Sequence, residues 1–358
     1  MTDRIRVLIV DDSALMRKAL KEIIMTDSGL EVVGTARDGQ DAIEKVHDLN
    51  PDVVTMDINM PVMDGLTSMQ HILSDYPEMP VLMVGSLTAE GALTTFEALE
   101  LGAFDFVAKP SGTVSSNIHI VGREIIQKVK LAYKNVNKKS IKDRIQRRSS
   151  VTPQNKAPTK KLDITRSKEL SKVVVIGIST GGPGTLMEVL PMLPQDLRAA
   201  VIIIQHMPPS FTSSFAKRLN DACAIPVKEA DAGDVLQNGR GYLAHGGYQL
   251  VVRGEGDTIR LPSTPKTIFM PSVNVSMEYV LDTYGGENVV GVLMTGMGDD
   301  GADAMVKIRR AGGITIAEDE STAVVFGMPR EAIERGGAQI VLPSYKIADA
   351  IIKAVRKA

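Results

Sequence analysis

Short apolar runs alternate with segments of helical periodicity over roughly the first 125 residues. Runs such as "RVLIV" and "PDVVTMDI" are followed by segments such as "SALMRKALKEIIM" and "TSMQHILSDY", in which apolar residues recur every three or four positions. The unit repeats about five times. Such alternation predicts a parallel β-sheet covered by helices on both faces, with functional side chains beyond the carboxyl ends of the strands.

A second set of apolar runs begins near residue 170, and helical segments separate most of them. The expected strands are "VVVIGI", "AAVIIIQ", "VVGVLMTG", "GITIA" and "AQIVLP". Between the second and the third, alternating residues and Gly turns in "VKEADAGDVLQNGRGYLAHGGYQLVVRGEGDTIRLP" indicate a hairpin-like insertion. Residues 170–358 therefore form a second doubly wound α/β domain with a β-hairpin insertion.

The segment between the two patterns is basic and poor in apolar residues. From Lys134 to Lys172 it contains thirteen Lys or Arg and three acidic residues. Such a composition cannot bury enough apolar surface to fold alone. We predict a flexible basic linker over 126–169, which separates a domain at 1–125 from a domain at 170–358. A solvated tether is favoured over a nucleic-acid contact.

Composition sets the class of protein. The chain has 358 residues, 44% of them apolar, and a formal net charge of −2, which suits two ordinary soluble domains. No apolar signal core and no run of about 18 apolar residues is present, so we expect a cytoplasmic location. A DNA-binding regulator is disfavoured because the C-terminal half offers long α/β alternation and no compact recognition module.

Acidic side chains follow the strands predicted in the first domain. Asp11 and Asp12 close the first strand, Asp57 closes "VVTMD", and Lys109 follows the fifth strand. Three carboxylates at one edge repel one another unless some are protonated or a hard cation lies among them. Mg²⁺ meets this demand, and a carboxylate beside it can attack a phosphoryl donor.

The motifs "VDDSALMR", "MDINMPVMDGL" and "AKP" at these intervals closely resemble a response-regulator receiver domain, with its flavodoxin-like parallel sheet. The resemblance implies that Asp57 is the phosphoacceptor and that Asp11, Asp12, Asp57 and the Asn59 carbonyl surround Mg²⁺. It implies that Lys109 pairs with the phosphate. It also implies a switch hydroxyl at the end of the fourth strand, and in "MVGSLT" we assign this role to Ser86.

The stretch "VVVIGISTGGPGTL" places Ser179 in a glycine-rich turn after an apolar strand. A nucleoside-triphosphate loop requires Lys after its last Gly, but Pro183 follows Gly182. A dinucleotide fingerprint requires Gly two positions after Gly177, and that position is Ser179 itself. The pattern that fits is Gly-x-Ser-x-Gly, typical of a serine nucleophile on a strand-to-helix turn.

A nucleophilic serine needs a base and an orienting acid. His206 follows "AAVIIIQ" at the strand edge that also presents Ser179, whereas His245 lies in the turn "AHGGY". His206 is therefore the favoured base. The strand "VVGVLMTG" runs into "MGDDGA" and brings Asp299 and Asp300 to the same edge. The chain order Ser, His, Asp differs from that of the α/β-hydrolases.

The motifs "IGISTGGPGTL", "IIQHMPPSFTSSFAKRLN", "LMTGMGDDGADAM" and "AEDESTAVVFGMPREAI" resemble the catalytic domain of the CheB family, the chemotaxis protein-glutamate methylesterases. The resemblance extends from about Leu170 to the C-terminus. It implies a Ser179, His206 and Asp300 triad, with Met297 and Thr180 as oxyanion donors and no cofactor for hydrolysis.

The family resemblance also implies substrate, partners and control. Glutamate methyl esters on chemoreceptors are hydrolysed, selected receptor glutamines are deamidated, and a chemotaxis histidine kinase supplies the phosphoryl group. The enzyme then meets the membrane only through receptor proteins. In the family the receiver packs over the active site, and phosphorylation relieves the block.

Four positions depart from the family pattern. His245 and Gln249 stand where Pro and His are common, and Met270 and Asn274 stand where Arg and Asp are common. These changes bring the substrate and the efficiency into question. They also leave an alternative function open, in which the chain is a phosphorylation-controlled binding module whose cleft has lost turnover.

Overall fold

A computed structural model describes residues 4–86, 89–110, 118–136, 170, 172–253 and 257–356; at 86, 89–93 and 136 it describes the backbone alone. The chain divides into two compact units, Met1–Lys168 and Glu169–Ala358. Each is an α/β structure with its own parallel sheet. We call them the receiver unit and the catalytic unit, after the two predicted domains.

The receiver unit contains a five-stranded sheet in the order β2-β1-β3-β4-β5, with parallel neighbours throughout. Its strands are β1 (Ile5–Val10), β2 (Leu30–Ala36), β3 (Val53–Met56), β4 (Val81–Ser86) and β5 (Asp105–Lys109). Its helices are α1 (Ala14–Ile24), α2 (Gly39–Leu49), α3 (Gly65–Asp75), α4 (Ala89–Leu101) and α5 (Gly122–Val136). The predicted fivefold βα alternation and doubly wound sheet are confirmed.

Helix α5 corrects the predicted start of the linker at residue 126. The helix continues to Val136, and its buried residues Ile125, Val129 and Ala132 pack into the receiver core. Lys128 is also buried and pairs with Asp105 at 2.9 Å. The basic composition of this stretch masked its apolar face, because the charged residues lie between the buried positions. The rest of the predicted linker, 137–169, lies outside the described residues.

The catalytic unit contains a seven-stranded sheet in the order β14-β13-β12-β6-β7-β9-β8, and every neighbouring pair is parallel. Its strands are β6 (Val173–Ile178), β7 (Ala200–Gln205), β8 (Val227–Glu229), β9 (Arg240–Leu243), β12 (Val289–Leu293), β13 (Ile314–Glu318) and β14 (Ile340–Leu342). Its helices are α6 (Gly182–Val189), α7 (Pro209–Ala222), α8 (Val273–Tyr284), α9 (Ala302–Arg310), α10 (Met328–Glu334) and α11 (Ser344–Arg356).

The predicted insertion divides into two parts. Its first half supplies β8 and β9, which join the main sheet as parallel strands. Only its second half forms the expected antiparallel hairpin, between β10 (Val251–Arg253) and β11 (Thr258–Arg260). The alternation that suggested one hairpin therefore arises partly from short strands at the edge of the large sheet.

Because the central strands of the catalytic unit are buried, its accessible side chains lie beyond the strand ends. All residues of β6, β7 and β12 are buried, so neither face of these central strands meets solvent. Side chains that need access must follow the strands, as is usual in doubly wound sheets.

No helix in the described part of the chain combines the length and apolar character needed to cross a bilayer.

Candidate functional site

The acidic residues of the receiver unit meet beyond the carboxyl ends of β1 and β3. Asp11, Asp12 and Asp57 can each place a carboxylate oxygen within 4.8 Å of the others. Asp11 and Asp57 are buried, whereas Asp12 is exposed. Three convergent carboxylates at a half-open edge suit a hard, oxygen-seeking cation such as Mg²⁺. The residues present therefore fit the predicted ion.

Lys109 holds two of these acids together. Its Nζ lies 2.8 Å from Asp11 Oδ2 and 2.7 Å from Asp57 Oδ2. Burial raises the pKa of Asp57, although Lys109 opposes the shift. Burial by itself would lower the pKa of Lys109, but Asp57 and Asp11 raise it above its usual value. The ammonium therefore stays charged beside the predicted phosphoacceptor.

Two further predicted receiver residues have defined backbone positions. Asn59 lies two residues after Asp57, on the exposed side of this edge. Ser86 ends β4 and is in register with Lys109 on β5, but its side chain lies outside the described residues. The Asn59 carbonyl as a metal ligand and the Ser86 hydroxyl as a switch stay predictions.

In the catalytic unit, Ser179 leaves β6 between the two strands that carry its partners. Its N–H donates to Thr295 O, just after β12, at 2.9 Å. On the other side, His206 N donates to Ile178 O at 3.1 Å. Gly181 then adopts a left-handed conformation with φ of 75°, which a residue with Cβ rarely adopts. The turn that exposes the Ser179 hydroxyl thus depends on a glycine.

His206 connects Ser179 to Asp300. Its Nδ1 lies 3.2 Å from Ser179 Oγ, and its Nε2 lies 2.8 Å from Asp300 Oδ2. Phe269 stacks on the imidazole with ring centroids 4.1 Å apart and planes 6° apart. The side chain of His206 is 8% exposed, so the ring is held on both edges and on one face. The structure brings the three predicted residues together in the arrangement of a nucleophile, a base and an orienting acid.

Asp300 accepts four hydrogen bonds. Besides His206, the donors are Ser272 Oγ at 2.9 Å, Val273 N at 2.7 Å and Asn274 N at 2.9 Å. The two amides belong to the first turn of α8, where the helix dipole favours an anion. Burial alone would raise the pKa of Asp300, but His206 and these amides lower it below its usual value.

The neighbouring residues that sequence analysis left as competitors have other partners. Asp299 pairs with Arg335 at 2.6 Å, and its side chain is 62% exposed. His245 Nε2 lies 3.8 Å from Glu229, and its ring packs edge-on against Tyr248. Neither has a hydrogen bond to Ser179 or His206 within the described part of the chain.

Two departures from the family pattern have structural roles. Gln249, fully buried, accepts from Ser272 N at 2.8 Å and donates to Pro265 O and Thr267 Oγ1 at 3.0 and 2.8 Å. It thus fixes the loop that carries Phe269 and Ser272. Asn274 Oδ1 accepts from Ala304 N in the first turn of α9 at 3.0 Å. Ser272 was not among the residues predicted from sequence, although a Ser before an apolar helix is a usual N-cap signal.

The two predicted oxyanion donors belong to segments that adjoin Ser179. Thr180 follows it directly, and Met297 follows Gly296, where an added Cβ would come within 2.9 Å of Ser179 Cβ. Gly296 O accepts from Gly327 N and Met328 N at 3.1 and 2.9 Å, so the planar peptide directs the Met297 N–H the opposite way. Within the described residues, neither the Thr180 nor the Met297 amide makes a backbone hydrogen bond.

The geometry defines a class of protein in which an α/β unit carrying a hydrogen-bonded Ser-His-Asp set follows a receiver-type unit. Comparison with known proteins agrees. Residues 174–351 match the CheB methylesterase family model, and residues 7–116 match the response regulator receiver domain.

Related proteins align with this chain over nearly the whole length of both. A protein-glutamate methylesterase/protein-glutamine glutaminase of Caldanaerobacter subterraneus is 51% identical, with 100% of this chain and 98% of the relative aligned. One from Syntrophomonas wolfei is 52% identical over 99% and 100%. The catalytic domain of Thermotoga maritima CheB methylesterase is 39% identical, covers 51% of this chain and 98% of its own, and gives a TM-score of 0.50. The chain belongs to the CheB methylesterase family.

Proposed function

We propose that this protein hydrolyses glutamate γ-methyl esters on chemoreceptors, deamidates selected receptor glutamines, and is activated by phosphorylation at Asp57. The observation that carries the hydrolytic part is the hydrogen-bonded path from Ser179 Oγ through His206 to Asp300, at 3.2 and 2.8 Å. Relatives named for both activities align over the full chain. These support one acyl-transfer chemistry for ester and amide.

The geometry supports a role for each group in the proposed hydrolysis. His206 Nδ1 takes the Ser179 proton as Oγ bonds to the ester carbonyl carbon. The N–H groups of Thr180 and Met297 stabilise the oxyanion. His206 returns the proton to the leaving methoxy oxygen, or to the leaving nitrogen of a glutamine, and methanol or ammonia departs. Water, deprotonated by His206, then bonds to the acyl carbon and gives glutamate, and His206 returns the proton to Ser179 Oγ as the acyl-serine bond breaks.

Asp300 acts throughout as an orienting anion. Its four donors leave it fixed, and its Oδ2 receives the Nε2–H of His206, so Nδ1 is the free basic nitrogen towards Ser179. When His206 carries both protons, the carboxylate stabilises the imidazolium. No cofactor is required for this chemistry.

In the receiver unit, Asp57 supplies the oxygen that bonds to phosphorus, and the phosphodonor's leaving group departs with the electron pair. Asp11, Asp12, Asp57 and the Asn59 carbonyl would hold Mg²⁺, which when bound offsets the negative charge of the phosphoryl group. Lys109, already 2.7 Å from Asp57, pairs with the product phosphate. Control follows if the phosphorylated form favours a more active arrangement of the protein.

Methanol release from methyl-labelled receptor membranes tests the proposal. Purified protein, with and without Mg²⁺ and a small phosphodonor, should release methanol, and faster with the donor. Ser179→Ala should lose activity by roughly 10⁶-fold. Ser276→Ala is the matched control, since Ser276 is a buried helix residue whose Oγ has no partner within the described chain. Membrane binding without methanol release by the wild type would favour the binding-module alternative.

A further inference from the structure

Gln205 is a buried polar residue that the hydrolytic mechanism has not used. It ends β7, immediately before His206, and is 2% exposed. Its Nε2 donates to two backbone carbonyls, Ser179 O at 3.0 Å and His206 O at 3.0 Å. A primary amide has two N–H donors, so both are used. One side chain thereby ties the backbone of the nucleophile to the backbone of the base.

The orientation of the Gln205 amide is fixed by its surroundings. In the reverse orientation, Oε1 would face two carbonyl oxygens and the contacts would be repulsive. In the observed one, Oε1 has no hydrogen-bond partner within the described residues. It lies instead against Gly182, where an added Cβ would approach it to 2.1 Å. Gly182 thus makes room for this amide.

The Ser179 carbonyl matters because its peptide carries the Thr180 N–H. A trans peptide is planar, so fixing Ser179 O fixes the opposite direction of that N–H. Ser179 O accepts from Gly182 N at 2.8 Å as well as from Gln205. Two donors on the carbonyl also polarise the peptide and strengthen its N–H as a donor.

We propose that Gln205 is a positioning residue for catalysis, which aims the Thr180 N–H at the oxyanion and holds His206 at hydrogen-bonding distance from Ser179. The inference rests on the proposed hydrolytic function. The unpartnered Oε1 supports it: a buried acceptor without a donor weakens the fold, so stability alone gives little reason for an amide here. Both N–H groups of Gln205 donate to backbone carbonyls of residues in the proposed triad.

Gln205→Met is the direct test, because Met preserves the length of the side chain and removes both donors and the unpartnered oxygen. We expect kcat for methyl ester hydrolysis to fall about 10²-fold, since a displaced oxyanion donor or a misplaced base has this size of effect. KM should stay within about threefold. The melting temperature should fall modestly, because two carbonyl oxygens each lose a donor and the removal of one unpartnered acceptor offsets only part of that loss.

Active-site titration separates positioning from a structural role. With p-nitrophenyl acetate, the burst amplitude counts competent serines, and kcat is then expressed per titrated site. Positioning predicts a normal amplitude and a low rate per site. Thr315→Val is the matched control: Thr315 is fully buried near the start of β13, and its Oγ1 accepts from Gln339 N at 3.0 Å. It should keep the wild-type kcat.

Gly182→Ala should displace the same amide without changing Gln205. It is the second test if Gln205→Met does not fold. Its Cβ would push Oε1 aside, so kcat should again fall while the burst amplitude is retained. Wild-type kcat per site in either folded variant would overturn the role of Gln205. So would a loss confined to burst amplitude. An inactive wild-type protein would instead refute the proposed function.

Discussion

Two aspartates, Asp57 and Asp300, follow strands of parallel sheets and are both buried, yet their surroundings differ. Within the described residues, Asp57 accepts from the backbone amide of Ile58 at 2.8 Å and pairs with the ammonium of Lys109. Asp300 accepts from an imidazole, a hydroxyl and two amides. Burial raises the pKa of Asp57, whereas these donors lower that of Asp300 despite its burial.

The difference separates a carboxylate that has acceptor sites for further partners from one whose acceptor sites are filled. A carboxylate has about four lone-pair sites, and four donors occupy those of Asp300. Among the described residues, the donors to Asp57 leave some of its acceptor sites unoccupied, and Asp57 lies among other acids that can share a cation. The donors around each aspartate thus support the two different functions that we propose for them. We therefore expect the two aspartates to respond differently to the same substitution.

The largest effect is expected at the triad. Asp300→Asn replaces an acceptor oxygen with an NH₂ group facing donors, so His206 loses its orientation and kcat should fall on the order of 10⁴-fold. Asp299→Asn is the matched control, because Asp299 is exposed and contacts Arg335 rather than His206. Initial rates of ester hydrolysis measure both. A larger loss in Asp299→Asn would reverse the assignment within the pair.

The position of each residue at the end of a strand made the proximity of Ser179 and His206 predictable from sequence. Neighbouring parallel strands bring their carboxyl ends together, so residues far apart in the chain could be placed at one edge. The choice between Asp299 and Asp300 depended on the resemblance to CheB proteins, because these two adjacent acids follow the same strand. Only the side-chain contacts explain it, through the first turn of α8.

Other features had no readable sequence signal. The amide of Gln205 faces inwards at the last residue of an apolar strand, and nothing in "AAVIIIQ" shows which carbonyls it reaches. The contacts of Gln249 join residues more than a dozen positions apart through a loop without periodicity. The extension of α5 to Val136 was missed because charge outweighed the spacing of its apolar residues.

In the receiver unit, the corresponding substitution, Asp57→Asn, should abolish activation by a phosphodonor and leave the basal rate of ester hydrolysis unchanged. Asp57→Asn removes the oxygen that bonds to phosphorus, so the ratio of rates with and without a phosphodonor and Mg²⁺ should fall to one. In the wild type we expect a ratio between about 5 and 150, the usual range of coupling between sites. The rate without donor should match the wild type. Full activation of Asp57→Asn by the donor would remove Asp57 as phosphoacceptor.

The pH dependence of stability sharpens the comparison further. The pKa of Asp300 is lower in the folded protein than its usual value of 3.8, so its ionised form favours folding. This contribution is fully present above the usual pKa and is lost as the pH falls through the folded-state pKa. The denaturation midpoints of wild type and Asp300→Asn should therefore differ by a constant amount above about pH 5 and converge below pH 4. A difference that grows with acidity would contradict the shift.

The smallest effect is expected at Asn274, a departure from the family pattern that lies beside Asp300. Asn274 Oδ1 accepts from Ala304 N, and a carboxylate oxygen in Asn274→Asp can accept the same bond. The added charge faces the first turn of α9, which favours an anion, but it also lies near Asp300, whose Oδ1 receives the Asn274 N–H. Because these influences oppose each other, kcat should stay within about threefold of wild type.

Asn274→Leu removes the acceptor of the Ala304 N–H and is the contrasting variant. Equal kcat and equal melting temperature in all three proteins would show that the contact with Ala304 contributes nothing, whereas a tenfold gain in Asn274→Asp would mean that the departure itself limits turnover.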